Sequence, residues 1–208
     1  MDLGLFVRGV ILGFSIAAPV GPIGVLCIRR TLAQGRIIGF ASGLGAATAD
    51  MIYGAVAALG LTLISNILVS QQALLRLVGG LFLLYLGIKT FRTPPATEAA
   101  EVKASARYAG IVGAYLSTLL LTLTNPATIL SFTLIFSSVG LSLVSDTNLA
   151  ILLVIGVFCG SALWWLLLSG GVSLVRNRIN GAVLVRINQL AGVVIIIFGV
   201  VALASLFR

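Results

Sequence analysis

The residue of this sequence with the clearest chemical content is Asp50, which follows Gly43-Leu44-Gly45-Ala46-Ala47-Thr48-Ala49 and precedes Met51-Ile52-Tyr53-Gly54. The other acids, Asp2, Glu98, Glu101 and Asp146, lie near the start of the chain or in polar connections. An aspartate at the middle of a spanning helix costs about 2.5–3.5 kcal/mol on insertion scales. A group kept at that cost binds a cation or carries a proton, which requires either wet surroundings or a neutral form for part of the time. With no histidine in the chain, Asp50 is the candidate for ion or proton coupling. Tyr53, one turn further on, is placed to orient its carboxylate or to gate a cavity beside it. The plainer alternative is a protonated aspartate that hydrogen-bonds between helices as packing.

Two interruptions complement this acid. The first is Ser15-Ile16-Ala17-Ala18-Pro19-Val20-Gly21-Pro22-Ile23-Gly24, in which Pro19, Gly21 and Pro22 disfavour a continuous helix inside a long apolar run. The second is Thr122-Leu123-Thr124-Asn125-Pro126-Ala127-Thr128. At membrane depth, irregular backbone is tolerated only where it packs in protein or lines a cavity. A helix restarting after Pro22 or Pro126 presents unpaired N–H groups and a partial positive charge, which suit a carboxylate. Thr122, Thr124, Asn125 and Thr128 add neutral donors and acceptors. A cavity with helix starts for a carboxylate and Asp50 for an ammonium matches a zwitterion, an amino acid above all. The competing reading is that both prolines merely kink packed helices, with Asn125 capping the restart. Trp164 and Trp165 are adjacent, so at most one faces such a cavity, and bulk filling is the expected role of both.

The elements that must position these residues are set by composition. The 208 residues are 60% hydrophobic and 9% charged, with a mean hydropathy of +1.20. Eighteen charged residues cannot give a soluble domain of this size its charged shell, so the chain reads as an all-α integral membrane protein in a lipid bilayer. The net charge of +8 does not point to nucleic acid, because the basic residues fall between apolar runs and are not gathered on a face with stacking aromatics. Val10–Ala18 resembles a signal-peptide core, but the preceding stretch offers only Arg8 and hydrophobicity resumes after Pro22, so no cleavage is expected. Cys27 and Cys159 form no CxxC and read as two buried, unpaired residues.

Six segments are long enough to span: Leu3–Ile28, Ile37–Ile64, Ala73–Phe91, Tyr108–Ser137, Asn148–Val172 and Asn188–Phe207. The first connection carries Arg29, Arg30 and Arg36, the third Lys89, Arg92, Lys103 and Arg107, and the fifth Arg176, Arg178 and Arg186. These are ten of the 13 basic residues, while the second and fourth connections hold none. The positive-inside rule therefore makes the odd connections cytoplasmic and puts both termini outside.

The polar stretch 93–107 divides the chain into residues 1–92 and 108–208, three segments each. Because three is odd, two halves of one fold must be oppositely oriented, giving inverted-topology three-helix repeats with helices 1 and 4 broken. A shift of 104 carries Pro22 onto Pro126 and Gly9 onto Gly113, and a shift of 112 carries Gly80 onto Gly192 and Gly87 onto Gly199. Interrupted helices at matching places in two halves point to a midplane site. Gly79-Gly80 and the pairs Gly39-x-x-x-Gly43 and Gly156-x-x-x-Gly160 serve either packing within the chain or a homodimer.

Pro19-Val20-Gly21-Pro22, Gly43…Ala49-Asp50 with Tyr53, and Asn125-Pro126, in this order over essentially the whole chain, resemble the lysine exporter (LysE-type, RhtB-related) translocator family. The resemblance implies a transporter, not an enzyme: ion-driven export of amino acids and related solutes across the bacterial inner membrane, by proton or another coupling cation, with no cofactor. The chain departs from the family pattern at Ala49, where glycine is common, and at Ala127, where lysine often follows Asn-Pro. The second change removes a cationic partner for a carboxylate. Other readings are a divalent-metal exporter, for which the ligand set is poor, a transmembrane dithiol carrier, which requires Cys27 and Cys159 to meet, and a scaffold subunit that transports nothing.

Overall fold

The interruption at Ala18–Pro22 is where the first apolar run bends. In the computed structural model, which describes residues 3–19, 21–58, 71–92, 104–125, 128, 131–132, 147–176 and 181–207, helix α1 (Leu3–Ala17) stops at this point and α2 (Pro22–Gln34) starts. The two helices make an angle of 82°. Pro22 opens α2, where its preset φ suits the first turn and its missing N–H would have had no helical partner anyway. At the far end Gly35 adopts φ 100° and donates its N–H to Thr31 O at 3.0 Å, a backbone conformation open to glycine. That single residue turns the chain into α3 (Arg36–Ala58). Then follow α4 (Gln72–Phe91), α5 (Ala104–Leu123), α6 (Thr147–Arg176), α7 (Gly181–Ala204) and a 3-10 turn at Ser205–Phe207; among the described residues all regular structure is helical.

Two expectations change here. The first segment does not end at Ile28: Arg29 and Arg30 belong to α2 and are buried, because side chains and carbonyls of other helices satisfy their guanidinium groups. The last helix starts at Gly181, ahead of the expected Asn188, so Arg186 sits exposed on its first turns instead of in a connection. Polar helix ends that project past the apolar run account for this.

Helices α4, α6 and α7 are long and apolar enough to cross a membrane, and the bent α1–α2 pair is a fourth such span if taken as one. Among the described residues three of the six expected segments meet that measure, and four with the bent pair counted as one. In α5, Ala109–Leu123 is a shorter apolar stretch. In helix α3, Gly39, Ala41, Ser42, Gly43, Gly45, Ala46, Ala47, Ala49 and Asp50 are all buried against neighbouring helices, so this stretch shows little surface to lipid. The lipid-facing counterpart is α4, where Leu74, Leu77, Val78, Leu81, Tyr85 and Ile88 are exposed at helical spacing.

Close helix approach fixes the layout. Helix α1 packs on α6, α4 on α7, and α3 on both α5 and α6. A Cβ at Gly13 would strike the Val157 carbonyl and one at Gly160 the Val10 carbonyl, so the α1–α6 crossing requires glycine on both sides. Gly9 meets Gly156 while Gly13 meets Val157, which makes α1 and α6 parallel. Gly45 beside Tyr115 and Tyr53 beside Leu123 make α3 and α5 parallel as well. Asp50 beside Ser161 and Gly43 beside Trp165 make α3 and α6 antiparallel, and α4 runs antiparallel to α7 through Gly80–Gly199 and Gly87–Gly192.

Candidate functional site

A cavity of about 270 Å³ lies where the two interruptions meet α3. Its wall includes Pro19, Gly21, Pro22, Ile23 and Gly24 from the first break, Asp50 from α3, and Thr122, Asn125, Thr128 and Ser131 from the second. The volume falls just below the range of about 300–1,000 Å³ usual for sites that hold drug-sized ligands, which suits a small solute.

The start of α2 forms one side of this wall. Its N-cap is Gly21, which has no side chain to cap it, no acid stands in its first turn, and Val25 N bonds to Gly21 O at 3.0 Å as the first helical hydrogen bond. The N–H groups of Ile23 and Gly24 therefore have no helical carbonyl to reach. In the second break Asn125 N donates to Thr122 O at 3.2 Å and Thr128 N to Asn125 O at 3.1 Å, and Thr128 is itself helical. Thr122 is buried and donates its hydroxyl to Thr118 O at 2.8 Å.

Asp50 faces both breaks. It is 3% exposed, and its Oδ2 accepts a hydrogen bond from Ser161 Oγ at 2.6 Å. Ser161 Oγ accepts in turn from Trp165 Nε1 at 3.2 Å. The run Trp165 to Ser161 to Asp50 thus holds one carboxylate oxygen along one side of α6 and fixes the indole on the cavity wall. A Cβ on Gly43 would strike the Trp165 side chain, so that glycine leaves room for the indole.

Of the nine residues expected at the site, Pro19, Gly21, Pro22, Asp50, Thr122 and Asn125 come together on this cavity. Tyr53 and Thr124 do not line it. The Tyr53 hydroxyl donates to Leu123 O, joining α3 to the end of α5, and its ring packs on Phe132. The Thr124 hydroxyl bonds back to Leu120 O at 2.9 Å, and its side faces a second cavity. Pro126 lies outside the described residues. Of the adjacent tryptophans Trp165 lines the cavity, whereas Trp164 stacks edge-on against Phe14 at 5.4 Å. Ser161, Ser131 and Phe198 were not anticipated. A signal for Ser161 exists in its place as the polar residue four before Trp165 in an otherwise apolar helix. Cys27 is buried as expected, but Cys159 is exposed on α6; both are free.

The sequence model of the family described as LysE type translocator matches residues 14–206, which takes in both breaks, Asp50 and every helix that lines the cavity. The chain belongs to the LysE type translocator family. Among curated proteins a similar one is the "Putative amino acid efflux protein YcgF" of Bacillus subtilis (strain 168), 29% identical over 201 residues, which cover 95% of this chain and 94% of that protein. No solved structure matches. Membership makes this chain a membrane translocator, and the first cavity brings one carboxylate and two helix interruptions together on its wall.

Proposed function

We propose that this translocator exports amino acids, or small zwitterions like them, across the bacterial inner membrane in exchange for protons. The observation that carries the reading is the meeting of the uncapped α2 start, the Asn125 turn and the Asp50 carboxylate on one cavity. The substrate carboxylate binds the N–H groups at Ile23 and Gly24 and the side chain of Asn125, where helix-end charge favours an anion. Its ammonium lies against ionised Asp50. Release outside lets Asp50 take a proton from that side, and return of the empty carrier delivers the proton to the cytoplasm. One substrate leaves for each proton that enters. Each charge moved with the membrane potential contributes about 2.3 kcal/mol per 100 mV.

The same reading gives the chain six spans in two inverted repeats with both termini outside. Exchanging the halves turns the α1–α6 pair into the α3–α5 pair, and both are parallel crossings. The shift of 112 turns the Gly80–Gly199 contact into Gly87–Gly192, so the α4–α7 crossing maps onto itself. These pairings favour a pseudo-two-fold arrangement with the breaks near its axis.

The test is uptake of a uniformly ¹⁴C-labelled mixture of the common amino acids into inverted inner-membrane vesicles, with wild type beside Asp50→Asn. Wild type accumulates label when a proton gradient is imposed, and the variant does not. Equal accumulation by both overturns coupling at Asp50, and no accumulation by wild type overturns the substrate class.

A further inference from the structure

A second cavity, of about 300 Å³, adjoins the first across Pro22, Asn125 and Phe198, which line both. It runs along α4 and α7 past Gly79, Leu83, Val201 and Ala202 to Arg76 and Ser205. Arg76 is in the second turn of α4 and Ser205 follows the end of α7, so this cavity leads from the breaks toward the end of the bundle opposite Lys89, Arg92 and Arg186. Apart from Arg76, the residues named on its wall are apolar or neutral.

Arg76 stands apart from the other basic residues. It is one of three, with Arg8 and Arg208, that fall outside the three basic groups of the sequence, and it lies within a helix apolar enough to span. An arginine there is costly and is retained where it meets a partner. Its Nη1 donates to Ser205 O at 2.9 Å. Its Nε is buried and has no hydrogen-bond partner among the described residues. Leaving a buried donor on a charged group unpaired is unfavourable, and each such group in a folded protein calls for a cause. An oxyanion in the cavity supplies one, because the side of a guanidinium that carries Nε is one of the two faces that grip a carboxylate with two parallel hydrogen bonds.

We propose that the second cavity is a carboxylate site on the exit path, in which Arg76 receives the carboxylate of an amino acid as it leaves the Asp50 cavity and the apolar wall takes its side chain. The proposal rests on the amino-acid reading for its cargo but not for its chemistry: the site has a cation and no acid among its lining residues, so it binds a carboxylate whether or not an ammonium is attached. Isovalerate, a branched apolar carboxylate without an ammonium, is therefore a probe for this site, read by its dependence on Arg76. In the first cavity the helix starts also suit a carboxylate, but ionised Asp50 repels one that brings no ammonium.

The experiment is thermal unfolding of the full chain in phosphatidylcholine nanodiscs, titrated with isovalerate and with isoamylamine. Isovalerate at ten times its dissociation constant raises Tm by about 3–6 °C in wild type, and in Asp50→Asn the part of the shift that depends on Arg76 is the same. In Arg76→Gln the shift disappears, and in Arg76→Lys, which keeps the charge but not the fork, part of it remains. Isoamylamine shifts none of them. No isovalerate shift in wild type, or an undiminished shift in Arg76→Gln, overturns the site. So does stabilisation through Arg76 by phosphatidylglycerol in place of isovalerate, which assigns the arginine to a lipid headgroup. If wild type binds isovalerate through Arg76 but inverted vesicles accumulate no amino acid, the carboxylate site stands and the amino-acid reading falls. If vesicles accumulate amino acids and isovalerate does not bind, the reverse holds.

Discussion

Two buried charges on neighbouring helices, Arg30 of α2 and Asp50 of α3, are handled in opposite ways. Arg30 donates to four oxygens: Nη1 to Ser42 Oγ at 2.9 Å, Ala114 O at 3.0 Å and Thr118 Oγ1 at 2.8 Å, and Nη2 to Ser117 Oγ at 2.8 Å. None of the four is a carboxylate. Each hydroxyl of this cage also donates to a carbonyl of its own helix, Ser42 to Ile38 O and both Ser117 and Thr118 to Ala114 O, which turns its lone pairs toward the guanidinium. Asp50 receives its side-chain hydrogen bond from Ser161 and borders a cavity. A charge surrounded by fixed dipoles holds helices together. A charge left facing open volume is available to something that comes and goes.

The sharpest way to break this contrast is to neutralise each charge and ask which property fails. Asp50→Asn abolishes gradient-driven accumulation in inverted vesicles, a loss of at least about a hundredfold if the coupling interaction is worth near 3 kcal/mol. Its Tm stays within a few degrees of wild type, because an amide fills the same space and still accepts from Ser161. A variant that loses Tm and transport in proportion removes the distinction.

Arg30→Met tests the other side. Methionine fills much of the volume of the arginine stem, and the cage hydroxyls keep their donors satisfied by their own helices, so the cost is the charge-assisted hydrogen bonds less the recovered desolvation of the guanidinium. That difference is about 1–3 kcal/mol, a fall in Tm of roughly 2–12 °C for a chain of this size. The apparent KM for transported amino acids should not move. A raised KM with an unchanged Tm would place Arg30 with Asp50 among the groups that meet substrate.

How much of this was legible beforehand follows from what the two charges depend on. The break at Ala18–Pro22 is written in proline and glycine, which act locally, and α1 and α2 end and begin where those residues stand. Asp50 declared itself because a carboxylate in an apolar run has few reasons to exist. Arg29 and Arg30 were misplaced because, at the edge of an apolar run, a charged pair reads the same whether it emerges into water or turns inward. Only the partners on α3, α5 and α7 decide, and Asn188 on α7, which accepts from Arg29 Nε at 3.2 Å, is 159 residues away in sequence. Tyr53 and Thr124 lie off the cavity, and Trp165 rather than Trp164 lies on it, for a related reason. In helices apolar on all sides the 3.6-residue period names no inner face, so which residue of a neighbouring pair meets a cavity is set by helix crossing angles.

Ser161 sharpens the contrast at smaller scale, since among the described residues it is the side chain seen to donate to the Asp50 carboxylate. Ser161→Ala removes a hydrogen bond to a charged group, typically about 1.5–3 kcal/mol. If the bond is made only when Asp50 is ionised, transport slows by about tenfold to a hundredfold while accumulation still requires the gradient. Ser161→Thr, which keeps the hydroxyl, restores most of the rate. An alanine variant that transports like wild type would mean that Asp50 works without its α6 partner.

The smallest effect expected is at Trp165, one hydrogen bond further from the acid. Trp165→Phe keeps an aromatic ring on the cavity wall but deletes the Nε1–H that reaches Ser161 Oγ at 3.2 Å. Ser161 can still donate to Asp50 without that bond, so what is lost is orientation, worth about 0.5–1.5 kcal/mol for a neutral hydrogen bond. That corresponds to a slowing of roughly twofold to tenfold. The double variant Ser161→Ala with Trp165→Phe distinguishes orientation from wall shape. If the indole acts through the serine, Trp165→Phe costs nothing further once Ser161 is alanine, and the two losses are far from additive. Additive losses would show instead that the indole contributes by filling the cavity wall, the role that bulk alone predicts for a tryptophan in an apolar helix.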